Sequence, residues 1–215
     1  MKGLLLKDIY MISHLYRKNL VLVLVLYSAM GLALEMSFFF QILGWMFGFY
    51  VMGLFSTDSA SRWDFYAATL PVSKAALVGE KFVLLLLCSL VGLAYSLLAA
   101  PLLYWRMGAP ILETAAVSAV TALVSLVYFG LMLPLAYKFG IEKARTGLLL
   151  LLAAAGAGVL ALSKLEVFHQ DGAGTVIRWI DQNPWMALAL LAAGCAAFYL
   201  ACWGVSLAIY RKKEF

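Results

Sequence analysis

Long apolar runs, separated by short segments that carry the charges, dominate this sequence and restrict what it can fold into. The hydrocarbon core of a bilayer is about 30 Å thick, and a helix crosses it with about 20 consecutive apolar residues. Six runs of that kind are present. We therefore predict an all-α polytopic membrane protein, with a single transmembrane domain over residues 1–215. The predicted transmembrane helices are 20–37, 38–57, 82–105, 114–137, 147–163 and 184–210.

The composition agrees with this fold class. Of the 215 residues, 65% are hydrophobic and 13% are charged, whereas an ordinary soluble domain is about 45–50% apolar and about 25% charged. These values exclude a soluble enzyme, a disordered regulator and a small disulfide scaffold. The net charge of +5 does not predict a nucleic-acid partner, because the basic residues lie between apolar runs rather than in one cluster.

The first two predicted helices share one apolar stretch, Leu20 to Thr57, which is too long for a single crossing. We place a tight hairpin at Glu35-Met36-Ser37, where the apolar run is interrupted.

Lys and Arg are divided unequally between the two sides of the predicted bundle. Thirteen of the sixteen lie on one side, and the other side holds Arg106, Lys164 and Arg178. Basic flanks are retained in the cytoplasm. An even number of crossings therefore predicts that both termini are cytoplasmic.

The segment before the first crossing, residues 3–18, is predicted to be an amphipathic helix at the membrane surface. It would be either a simple anchor or an elbow helix that passes force from a cytoplasmic partner into the bundle. One face carries Leu5, Ile9, Ile12 and Tyr16, and another carries Lys7, His14 and Lys18.

The predicted cytoplasmic segment 58–81 carries Arg62 together with Trp63, Phe65 and Tyr66. Arg and aromatic side chains are typical of protein-binding surfaces. Alternatively, the aromatic residues lie at headgroup level as an interfacial belt. On the opposite side, residues 164–183 form the predicted extracellular segment, which is long enough for a short re-entrant or interfacial helix.

The predicted crossings contain almost no ionisable side chain, and Gln41 is their main polar residue apart from hydroxyls. Ion-coupled transporters usually place carboxylates or basic groups at mid-membrane depth. His14 and His169 lie on opposite sides of the membrane in this topology and cannot form a zinc pair. We therefore predict no catalytic residue, metal or cofactor on this chain. A phosphate-binding G-x-x-x-x-G-K-[ST] motif is also missing from the sequence, so any ATP would be bound by another chain.

Small residues recur in two of the crossings. Gly44 and Gly48 form a G-x-x-x-G pattern, and residues 153–158, which include Gly156, are all Ala or Gly. Such residues let helix backbones approach closely. They predict packing within the chain, a dimer contact or the wall of a cavity.

The cytoplasmic segment and the two ends of the chain resemble a known family. The segment reads Trp63-x-x-Tyr66-x-x-x-Leu70-Pro71-Val72-Ser73-Lys74, and Glu80-Lys81 follows where the third crossing begins. The first eight residues, MKGLLLKD, and the last seven, IYRKKEF, are similar to the ends of the same group. The chain resembles the small ABC-2 type transporter permeases, and within them the permeases of phenol-soluble modulin and antimicrobial-peptide exporters.

This resemblance implies a non-enzymatic half-transporter, a multi-pass protein of the bacterial plasma membrane. Two six-helix permease chains would pair as a homodimer or heterodimer, and each would bind a separate ATP-binding subunit that holds ATP and Mg. The cargo would be hydrophobic or amphipathic peptides that leave the cell.

The resemblance also implies roles for particular residues. A coupling helix would lie within Ser59 to Ser73, with contacts from Arg62, Trp63, Asp64, Tyr66, Leu70 and Pro71. The second and fifth crossings would line the translocation path, and they carry Gln41, Gly44, Gly48 and Gly156.

Two alternatives stay open. The cargo could be an antibiotic or a lipid, since an apolar path does not distinguish these from peptides. The protein could instead be a self-contained channel or a structural membrane protein, but a channel needs a hydrophilic stripe along one crossing, and only scattered Ser, Thr and Gln are present.

Overall fold

A computed structural model describes residues 2–164, 178–180 and 182–212, without the side chains of residues 64, 68, 107, 155 and 158–164. This part of the chain is helical and contains no strand, which confirms the all-α class. Most of the predicted extracellular segment, residues 165–177 and 181, lies outside the described residues. The helices with defined bounds are α1 (Lys2–Leu15), α2 (Arg17–Ala33), α3 (Phe38–Ala60), α4 (Trp63–Thr69), α5 (Lys74–Met107), α6 (Ile111–Phe139), α7 (Ile141–Lys164) and α8 (Pro184–Arg211).

Four of the described helices, α3, α5, α6 and α8, are long and apolar enough to cross a membrane. Helices α1 and α2 meet at a bend of 67° and would make a fifth crossing if the pair is counted as one. The described residues thus support four or five crossings of the six that we predict. The fifth predicted crossing, 147–163, falls within α7 and stays a prediction.

Helices α2 and α3 form an antiparallel hairpin around Glu35. This residue has a positive φ of 54°, and the Met36 amide donates a hydrogen bond of 3.1 Å to the Gly31 carbonyl, a bond that commonly closes a helix end. At the far end of the hairpin, Tyr16 packs against Tyr50 with ring centroids 4.9 Å apart.

The centre of the bundle is formed by α3, α5 and α6, with α8 packed against α6 and α5. Gly44 of α3 meets Gly92 of α5 backbone to backbone, so these two helices approach closely. Helix α8 is joined to α5 by the Tyr199 hydroxyl, which donates a 2.6 Å hydrogen bond to the Phe82 carbonyl. The core is therefore made mainly by the three long helices α3, α5 and α6, which pack against one another.

The packed face of α1 differs from the prediction at one position, since Leu5 and Ile12 of the predicted apolar face do pack against the core. Leu4 and Asp8 are the buried residues of this helix, whereas Ile9, which we placed on the apolar face, is 48% exposed. The Asp8 carboxylate on this side pairs with the buried Lys81, a contact that the pattern of apolar residues does not predict.

Candidate functional site

Helix α4 projects from one end of the bundle, between the end of α3 and the start of α5. Arg62 adopts a left-handed conformation with φ 53° and separates α3 from α4. Leu70 is extended before Pro71, as expected for a residue that precedes proline. Ser73 then caps α5 by accepting a 3.2 Å hydrogen bond from the Ala76 amide. The predicted segment 58–81 thus contains the end of α3, the short helix α4 between two turns, and the start of α5 at Lys74.

The two sides of α4 differ in exposure. Ala67 is buried in the core, and Trp63, one turn earlier, packs against the core. Phe65 and Tyr66 face outward and are each 59% exposed. A short helix with one anchored face and one aromatic outer face is therefore available to a partner.

The structure separates the six residues for which we predicted partner contacts. Arg62, Tyr66 and Pro71 are exposed, and Leu70 is partly buried. Trp63 instead faces the bundle, and the side chain of Asp64 lies outside the described residues. Phe65, an aromatic residue of the predicted segment that is not among these six, joins Tyr66 on the outer side.

Trp63 is in contact with α1 through Lys7. The Lys7 ammonium lies 3.9 Å from the centre of the indole ring, within the range of a cation–π interaction. This contact connects the first helix of the chain to α4.

Below α4, four charged residues form a compact group that we call the ionic cluster: Lys7, Asp8, Asp58 and Lys81. The Lys81 ammonium lies 2.6 Å from Asp8 and 2.7 Å from Asp58. Lys7 lies 3.0 Å from Asp8 and 3.3 Å from Asp58. Each lysine therefore bridges α1 and α3, and Lys81 adds α5.

The cluster lies in a buried environment that alters the titration of Asp8. Burial by itself raises the pKa of this carboxyl, but a hydrogen bond with the Glu80 carboxyl and the positive charges of Lys81 and Lys7 bring the pKa below the ordinary value of 3.8. The pKa of Asp8 is thus lower in the folded protein than in the unfolded chain. The Asp8 carboxylate therefore contributes its full stabilisation at pH values above 3.8, and this stabilisation is lost as the pH falls through the lowered pKa.

Glu80 lies beside the cluster and is 1% exposed. The two lysines already balance the two aspartates, so a charge on Glu80 would have no counter-ion of its own in the cluster. Charge balance therefore favours a neutral Glu80 that donates its proton to Asp8 in a hydrogen bond.

A cavity of about 160 Å³ lies under α4 and gathers several helix ends. Asp58, Trp63 and Lys81 line it from α3, α4 and α5. Lys138, Ile141 and Tyr210 line it from α6, α7 and α8. The ends of six helices, α3 to α8, therefore meet around this cavity.

In retrospect, a signal for the ionic cluster is visible in the sequence. Asp58 directly follows one apolar run, Lys81 directly precedes another, and Asp8 occupies the same helical face as Leu4 and Ile12. Charged residues beside an apolar run can equally be solvent-exposed residues at the end of a membrane helix. Only the docking of α1, α3 and α5 therefore identifies Asp8, Asp58 and Lys81 as partners.

The small residues predicted for the path or for helix packing fall into two groups. Gly44 faces Gly92, and a Cβ on Gly48 would overlap the ring of Phe129, so both lie at helix contacts within the chain. A Cβ on Gly156 would meet no described atom within 4 Å. Gly156 thus makes no close intrachain helix contact in the described part.

Gln41 lines a groove of about 450 Å³ between α3 and α6, together with Phe38, Trp45, Phe49 and Thr121. A second groove, of about 570 Å³, lies between the N-terminal parts of α6 and α8, and Glu113 is its acidic residue. Both grooves are lined mainly by apolar side chains.

Comparison with known proteins identifies the family. A family model described as ABC-2 family transporter protein matches residues 3–211. No curated protein and no solved structure gives a significant match. The family match covers nearly the whole chain, including all the helices described above, and implies partnership with an ABC ATP-binding subunit. The chain is therefore a multi-pass membrane protein that belongs to the ABC-2 family, as a membrane subunit of an ABC transporter.

Proposed function

We propose that this chain is the permease of an exporter that moves hydrophobic or amphipathic peptides out of a bacterial cell. A separate subunit would bind ATP and Mg and hydrolyse the ATP, and this chain would have no enzymatic activity of its own. Two permease chains would form the complete translocation unit.

The observation that carries the coupling part of this proposal is the outer face of α4. Arg62, Phe65 and Tyr66 are exposed on a helix whose other face is anchored in the core. Aromatic residues and Arg supply much of the binding energy at protein interfaces. We assign α4 as the coupling helix that docks on the ATP-binding subunit.

The apolar grooves support the choice of cargo. An amphipathic peptide has one face that an apolar wall can accept and another that needs occasional polar groups. The groove beside α3 offers such a combination, with Gln41 and Thr121 among aromatic and aliphatic side chains. The lack of charged lining there disfavours a strongly ionic cargo.

The test is ATP hydrolysis by this chain, co-purified with its candidate ATP-binding subunit in lipid nanodiscs. A synthetic amphipathic Leu/Lys helix serves as the probe, and a peptide of the same composition with a scrambled, non-amphipathic order serves as its control. We expect the amphipathic peptide to stimulate hydrolysis several-fold more than the scrambled one. Equal responses would contradict the cargo assignment.

The docking assignment is tested by Arg62→Glu and Tyr66→Ala. Tyr104→Ala is the matched control, because Tyr104 is similarly exposed but lies on the last turns of α5, away from α4. We expect the two α4 variants to lose peptide stimulation or complex formation, while the control keeps both. Full coupling in the α4 variants would refute the role of this helix, and failure of the wild-type chain to bind any ATP-binding subunit would refute the exporter.

A further inference from the structure

We propose that Lys7 is a positioning residue for energy coupling, which ties α1 to α4 so that α1 moves with α4 when the ATP-binding subunit closes. The inference rests on the proposed docking role of α4. It assigns α1 an active part in coupling, beyond that of a surface anchor.

The contacts of Lys7 are distributed over separate elements. Its ammonium lies 3.0 Å from Asp8 on its own helix and 3.3 Å from Asp58 near the end of α3. It also lies 3.9 Å from the centre of the Trp63 ring at the start of α4. One side chain thus joins α1, α3 and α4 at the point where α4 begins.

The segment between α3 and α4 is a place where motion can be absorbed. Only Ser61 and Arg62 separate the two helices, and Arg62 holds a positive φ. A rotation of α4 about its own axis at this point would swing the ring of Trp63, which projects from its first residue. Because the Lys7 ammonium lies against this ring, the displacement reaches α1 without passing along the backbone.

Helix α1 continues the connection into the membrane-embedded part. It meets α2 at the 67° bend, and Tyr16 at the bend packs against Tyr50 of α3. A shift of α1 would therefore change the angle at which α2 lies against α3.

Lys7 is a suitable residue to test, because its side chain is 23% exposed whereas that of Lys81 is 7% exposed. Replacing Lys7 leaves Lys81 in contact with both aspartates, so the core of the ionic cluster is retained. Lys7→Gln removes the charge, whereas Lys7→Arg preserves both the ion pairs and the cation–π contact. Lys2→Gln is the control for the loss of a positive charge at an exposed position of the same helix.

The experiment measures helix movement by distances between spin labels in the complex with the ATP-binding subunit, with the three native cysteines replaced by alanine. One pair joins exposed Ser13 on α1 to exposed Lys143 on α7, and the other joins exposed Thr69 on α4 to Lys143. Distances are compared without nucleotide and with ATP, Mg and vanadate. In the Lys7→Gln complex we expect loss of the α1 change with retention of the α4 change. Lys7→Arg and Lys2→Gln should show both changes.

Persistence of the α1 change in Lys7→Gln would overturn the inference, as would an immobile α1 in the wild-type complex. Absence of the α4 change in the wild type would instead refute the proposed function on which the inference rests. A purely structural role for Lys7 would lower thermal stability while leaving the two distance changes linked.

A second measurement tests the contact in the permease alone. Thermal unfolding of Lys7→Gln, Trp63→Leu and the double variant forms a double-mutant cycle. We expect the double variant to lower the Tm by less than the sum of the two single shifts. Additive shifts would show that Lys7 and Trp63 do not act together and would overturn the inference.

Discussion

At the scale of single residues, the ionic cluster is the least expected feature of a chain with so few charges. Asp8 and Lys81 are both buried, and their removal from water is costly unless each finds an opposite charge at short range. Lys81 meets this requirement with two carboxylates at 2.6 and 2.7 Å. Lys81 is the more buried of the two lysines, so its loss should cost much more stability than the loss of the partly exposed Lys7 or of a neighbouring neutral group.

Lys81 and Glu80 provide this contrast at adjacent positions of α5. We expect Lys81→Met to destabilise the fold by about 3–5 kcal/mol, because it leaves two aspartates with only Lys7 as a counter-ion. We expect Glu80→Gln to change stability by less than about 1 kcal/mol, because a neutral Glu80 and Gln both donate a hydrogen bond to Asp8. Denaturant unfolding of the purified permease measures both values. A larger loss in Glu80→Gln than in Lys81→Met would contradict the charge balance described here.

At the scale of helices, glycines decide how closely α3 approaches its neighbours. Gly44 permits the contact with α5 through Gly92, and Gly48 accommodates the Phe129 ring of α6. In a membrane, where lipid competes equally well for apolar surface, such close packing is a main source of helix association.

Gly48→Ala should therefore destabilise the α3–α6 contact by about 1–3 kcal/mol, because the added methyl overlaps the Phe129 ring. Gly147→Ala is the matched control, since a methyl at that helical position meets nothing within 4 Å. The control should be neutral or gain up to about 1 kcal/mol from improved helix propensity. Unfolding in detergent measures both changes, and equal stability of the two variants would show that Gly48 does not limit the packing.

Helix α4 illustrates how a short element is maintained by its surroundings. Seven residues are too few to form a stable helix in isolation. Here Ala67 is buried, Trp63 is packed against the core, and both ends are defined by turns. The same anchoring leaves the aromatic outer face available, so the fold of α4 and its proposed role depend on the same contacts.

At the scale of the whole molecule, both ends of the described chain lie at the α4 end of the bundle. Lys7 near the start contacts Asp58, and the Arg211 carbonyl near the other end accepts a 3.2 Å hydrogen bond from Lys74. The α2–α3 hairpin lies at the opposite end. The distribution of Lys and Arg along the chain predicts a cytoplasmic location for this end of the bundle.

The topology is testable by cysteine labelling in intact cells, in a background without the native cysteines. Met36 and Thr69 are exposed residues at opposite ends of the bundle. A membrane-impermeant maleimide should label Met36→Cys from outside and leave Thr69→Cys unlabelled until the cells are permeabilised, because of these two positions only Met36 is predicted to be extracellular. The reverse pattern would invert the orientation and remove the cytoplasmic docking assignment of α4.

The all-helical membrane class and the exposed aromatic segment near residue 66 are predictable from the amino-acid sequence, because these features depend on local hydrophobicity and composition. The start of α5 well before residue 82 was not predictable, since helical structure continues past the apolar run into residues with mixed polarity. The inward position of Trp63 and the pairing of Asp8 with Lys81 were decided by tertiary structure. Asp8 and Lys81 are 73 positions apart, and only the docking of α1 on α3 and α5 brings them together. Periodicity reports which residues share a helix face, but an ion pair between helices also depends on which helices meet and at what rotation.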